Sequence, residues 1–128
     1  MATRTITGTL DTFSVNAGSE ITYLGNTTAG SSGGLDFRAF RVNPSTTGDI
    51  IVKLDRSVGV TTVEIFQEDA YTAASAPTGY TKFTNIAKDG KGKGAVAVTV
   101  SDASKNYVVL LNLDGYSEVA YNGSVDVP

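Results

Sequence analysis

The sequence predicts an all-β fold, an antiparallel two-sheet β-sandwich of jelly-roll type with about nine strands. Thr, Val, Ile, Tyr and Phe recur in short runs, and clusters of Gly, Ser, Asn, Asp and Pro separate those runs. No segment carries the apolar period of a long amphipathic helix. At 128 residues the chain fits a single domain, 1–128, that buries roughly two thirds of its unfolded surface. With no Cys it has no disulfide to lean on, so apolar burial alone must hold it together.

The first strand is expected from Thr3 to Val15, where Ile6, Gly8 and Leu10 share one parity and Phe13 and Val15 the other. A bulge or bend near Asp11 would reconcile the two. Residues 1–10 are expected to act as an edge strand or an assembly arm. "EITYL" reads as a short second strand, and "GNTTAGSSGG" (Gly25 to Gly34) as a loop too polar and glycine-rich to pack. "LDFRAFRV" (Leu35 to Val42) follows, stopped by Asn43-Pro44, because proline forces the preceding residue out of the helical region. "IIVKL" (Ile50 to Leu54) and "VTTVEIF" (Val60 to Phe66) are strands, "QEDAYTAASAPTG" is irregular, and "YTKFTNI" is a further strand.

The final third has the clearest pattern. "AVAVTV" (Ala95 to Val100) alternates, and "YVVLLNL" (Tyr107 to Leu113) is apolar on both parities, which marks a central strand buried on both faces. In the closing stretch Val119, Tyr121, Gly123, Val125 and Val127 fall on one parity, as in a strand with one buried face. These two one-sided strands are expected to flank the central one, joined to it by turns at "SDASKN" and Asp114-Gly115. The expected core positions are Val96, Val98, Val100, Tyr107, Val109, Leu111, Val119, Tyr121 and Val125.

Composition removes whole classes of chemistry. Without His or Cys there is no Ser-His-Asp or Cys-His catalysis, no imidazole or thiolate metal site and no histidine pH switch. Ten basic residues scattered among thirteen acidic ones make no stripe suited to a phosphate backbone, so nucleic acid is not an expected partner. "MATRTITGTLDTF" lacks the apolar region of a signal peptide, and the longest apolar run, Tyr107 to Leu111, is too short to span a bilayer. No membrane partner is expected.

Four groups of residues invite a functional reading. Glu68 and Asp69 could act as a carboxylate pair, but neighbours on a loop rarely aim at one target, and a solvated loop is favoured. Asp102, Ser104 and Asn106 are oxygen-rich at alternate spacing. They lack the order of a calcium loop, so turn chemistry is favoured and no metal or other cofactor is expected. In "KDGKGKG", Lys88, Lys91 and Lys93 could meet an anionic group, against a simpler reading as a charged hairpin tip that guards an edge. Tyr71, Tyr80 and Tyr116 lie in or beside loops, where they could stack on sugar rings or contact a protein partner. The sequons at Asn26 and Asn122 carry no weight without a secretory signal.

Tyr107 with Val108 and Val109, and Tyr121 with Val125, resemble the late and closing strands of the bacterial pre-peptidase C-terminal domain family. The resemblance covers the C-terminal half. It implies a small β-sandwich that serves as an accessory binding module. Where that family has Asp-x-Asp, this chain has "TTVEIF" with Glu64 as its acidic residue, so the family's calcium site does not carry over.

The expected function is non-enzymatic, since the chain offers only dispersed carboxylates, hydroxyls and lysines where an enzyme needs a placed nucleophile, base or metal. It reads as a complete protein, which favours a structural accessory of a larger assembly: a capsid decoration or surface-coat subunit, multi-copy or homo-oligomeric, on a virion or an extracellular surface. The alternative is a secreted module that adheres to polysaccharide or protein.

Overall fold

The computed structural model describes residues 1–9, 12–25, 35–68, 81–84, 94–114 and 119–128. Ten strands run through them: β1 (Ala2–Thr9), β2 (Phe13–Val15), β3 (Ile21–Gly25), β4 (Leu35–Val42), β5 (Gly48–Val58), β6 (Val60–Gln67), β7 (Thr81–Thr84), β8 (Gly94–Val100), β9 (Tyr107–Asp114) and β10 (Ala120–Val127). They form two antiparallel sheets, ordered β2-β1-β10-β5-β8 and β3-β4-β9-β6-β7. No helix among the described residues is long and apolar enough to cross a membrane.

The pairing explains the wrap. Strand β1 pairs with β10, β4 with β9, β5 with β8 and β6 with β7, so the chain is one long ribbon doubled back between β6 and β7. Rolling that ribbon lays β10 against β5 and β9 against β6, which is the jelly roll that the sequence predicts. The two short strands extend it, β2 beyond β1 and β4's partner β3 on the far side of the second sheet. Phe13 stacks on Tyr23 at 4.7 Å and leans on Phe40 at 5.3 Å, tying those two edges together.

Alternation decides which side chains fill the space between the sheets. Ile6, Ile50, Val52, Leu54, Val96, Val98, Val100, Tyr121, Val125 and Val127 come from the first sheet; Phe40, Val42, Val63, Ile65, Tyr107, Val109, Leu111 and Leu113 come from the second. Strand β9 is central, as its two apolar parities require. Its second parity, Val108 and Leu110, joins Ala39 and Phe66 in a smaller cluster on the opposite face of the second sheet.

Three expectations are corrected. Thr3 to Val15 is two strands rather than one bulged strand: Ile6 pairs with Val15 and Gly8 with Phe13, and Thr9 N donates to Thr12 O at 3.1 Å. A chain reversal switches parity as effectively as a bulge does. Next, β8 and β10 do not flank β9; its neighbours are β4 and β6, and the two one-sided strands lie in the opposite sheet. Residues 101–106 therefore carry the chain across the sandwich instead of closing a hairpin. Finally, the first ten residues contribute β1, which pairs with β10 along its whole length and with β2 over Ile6–Gly8.

Two glycines are demanded by geometry. Gly59 has φ of 75° in the tight turn from β5 to β6, a conformation that costs a side-chain-bearing residue. Gly123 lies where the β10–β5 register slips, and a Cβ there would run into the Lys53 carbonyl.

Candidate functional site

The six residues singled out for partner binding, Tyr71, Tyr80, Tyr116, Lys88, Lys91 and Lys93, lie outside the described residues, as do Asp69 and Asn26. Glu68 is described, and it is not a free loop carboxylate. The Arg41 guanidinium grips it through Nε at 2.9 and 3.0 Å and NH2 at 2.6 Å, and Glu68 N donates to Asn106 O at 2.9 Å. The fork anchors the end of β6 to β4. The Arg41 hydrogen bonds hold the Glu68 carboxyl below its usual range. Arg4 does the same to Glu20, at 2.8 and 3.0 Å.

Asp102 Oδ1 accepts from Ser104 N at 2.9 Å and Ser104 Oγ at 2.6 Å, a local turn that lowers the Asp102 pKa. Among the described residues no group of three or more acidic side chains is placed to hold a metal ion.

The most distinctive chemistry lies inside one end of the sandwich, at a residue that belongs to none of the sequence motifs. On β4 the interior parity reads Arg38, Phe40, Val42, which puts a guanidinium in line with two core residues; Arg38 is 1% exposed. Arg38 NH2 donates to Thr9 O at 3.1 Å, and its charge acts on the Tyr121 phenol. Tyr121 is 3% exposed, and Ser57, its register partner on β5, is fully buried. The buried Tyr121 hydroxyl has no well-aligned hydrogen bond. The phenol is packed against Gly8, where a Cβ would collide with it.

Burial pushes the Tyr121 phenol up to about 12, with the Arg38 charge opposing that rise. Because the folded value exceeds the unfolded one, this group's contribution to stability is complete below pH about 10 and is lost as pH rises toward about 12. A tyrosinate absorbance titration should therefore show a late phenol that Tyr121→Phe removes. All phenols ionising together near pH 10 would contradict the burial argument.

Above this cluster, the outer face of the first sheet carries an open cleft of about 440 Å³ lined by Thr7, Gly8, Thr9, Val58, Ala120, Tyr121 and Asn122. Thr7 Oγ1 donates to Tyr121 O at 3.1 Å, and the Thr9 and Thr12 hydroxyls are 2.9 Å apart. Alternation along β1 and β10 points Thr7, Thr9 and Asn122 outward while Tyr121 points in. The lining offers hydroxyl and amide groups suited to a neutral polar ligand. It brings no activated nucleophile beside a base. No protein-family model and no curated protein matches this sequence.

Proposed function

We propose that the chain is a non-enzymatic structural subunit of a larger assembly, a capsid decoration or surface-coat protein that acts in several copies through protein–protein contacts. The observation that carries this reading is how the described polar side chains are spent. Arg4 binds Glu20, Arg41 binds Glu68, Asp102 binds Ser104, Thr3 binds Asp126 and Thr99 binds Asp49. Among the described residues these pairs hold strands and turns in place, which suits a part whose work is done by shape and backbone. A rolled sandwich with its last strand locked in mid-sheet suits a part that must keep that shape under load.

The test is mass measurement of the native particle from which the protein is purified. A fixed stoichiometry with a capsid, filament or coat is the expected result; a free chain with no protein partner would overturn the reading. The cleft over β1 and β10 favours a second reading, a polysaccharide-binding module of the pre-peptidase type. Retention on a neutral polysaccharide, lost on Asn122→Ala, would favour that module over the assembly role.

A further inference from the structure

Four strands end the two sheets, and they differ in how well their outer edges are guarded. Strand β2 has three residues, β7 has four, and β3 has five with its register broken between Tyr23 and Gly25. Strand β8 has seven, Gly94-Ala-Val-Ala-Val-Thr-Val100, paired with β5 in unbroken register. It carries no charge, no proline and no bulge, the usual devices that stop an edge from pairing. Among the described residues no strand pairs with its other side. Val96 and Val98, 7% and 8% exposed, are the least covered members of the main core.

We propose that β8 is the contact through which two copies of this chain associate, pairing antiparallel about a two-fold axis at Ala97. The proposal rests on the assembly reading and names its contact face. A strand that meets its own copy must be self-complementary, and β8 is. With Ala97 opposite Ala97, Val96 of each copy faces Val98 of the other, and Ala95 faces Thr99. Residue parity is kept, so both apolar faces point into their cores and both small-residue faces point out. The pairing would extend the incomplete cover over Val96 and Val98. The flanking charges do not oppose the contact: Lys53 lies beside Ala95 and Asp49 beside Thr99, so the two-fold sets each copy's Lys53 in the row of the other's Asp49, about 14 Å away across three strand spacings. Backbone hydrogen bonds would supply the affinity, as in other cases of strand addition.

The test uses charge at the axis. Ala97 is exposed on the outer face, so Ala97→Lys and Ala97→Glu should each keep the β spectrum of the parent. Light scattering on the purified parent chain should give twice the 13.3 kDa of one chain. Each variant alone should fall to the single-chain mass, because like charges meet directly across the axis. An equal mixture of the two should return to the doubled mass. A parent chain that stays single at high concentration overturns the proposal, as does a dimer indifferent to charge at residue 97; a fixed stoichiometry in the native particle would still support the assembly reading in either case. If the mixture recovers the dimer while the native protein joins no larger particle, the β8 contact stands and the assembly reading falls.

Discussion

Removing residues 119–128 should leave a chain that does not fold. Strand β10 lies between β1 and β5 and is hydrogen-bonded to both, so its loss splits the first sheet and opens two edges at once. The deletion also takes Val119, Tyr121, Val125 and Val127 out of the core. At about 1.5–3 kcal/mol for each large apolar side chain, that loss approaches the whole stability of a typical domain, about 5–15 kcal/mol. Even the last residue is engaged, since Ser45 N donates to Pro128 O at 2.9 Å. Circular dichroism and amide proton dispersion should both report a disordered chain. Native-like dispersion after the deletion would mean that β1 and β5 can close on each other, and the assigned strand order would be wrong.

What alternation discloses, and what it conceals, follows from the same strand. The parity of Val119 to Val127 and of Ala95 to Val100 correctly identifies their buried faces, and the two apolar parities of Tyr107 to Leu113 correctly mark a strand inside a sheet. Period two, however, states only that a face is buried. It does not say which strand lies alongside, because the same turn chemistry serves a hairpin and a crossing between sheets. For that reason β8 and β10 are expected beside β9 and are found opposite it. The reversal at Thr9 to Thr12 is concealed in a similar way, since a parity switch has two physical causes. Arg38 is a third kind of case. Its interior position follows from parity, but an Arg between apolar residues resembles the exposed half of an alternating strand until Phe40 and Val42 are known to face inward. The cleft over β1 and β10 arises from residues 58, 120 and 122 meeting residues 7 and 9, a juxtaposition that register alone creates.

Leu111→Ala should lower stability by about 2–5 kcal/mol, the range for deleting a buried Leu side chain whose surroundings cannot fully collapse. Leu111 is fully buried in β9, with Arg38 of β4 on one side and Val63 of β6 on the other, both held in register by ladders that leave little freedom to close the gap. Its place in the range depends on that neighbourhood. A void lined only by Val and Ile would stay dry and cost most, whereas one beside the buried Arg38 guanidinium has polar N–H groups in its wall and can admit a water. The lower half of the range, about 2–3.5 kcal/mol, is therefore expected, and the same truncation at Leu113 should cost more if no polar atom borders its cavity. Urea unfolding reads both directly as shifts in midpoint at constant slope. An unchanged midpoint for Leu111→Ala would contradict its central position. Equal losses at the two sites would instead show that the guanidinium gains nothing from the added space, because its charge is already fully compensated within the fold.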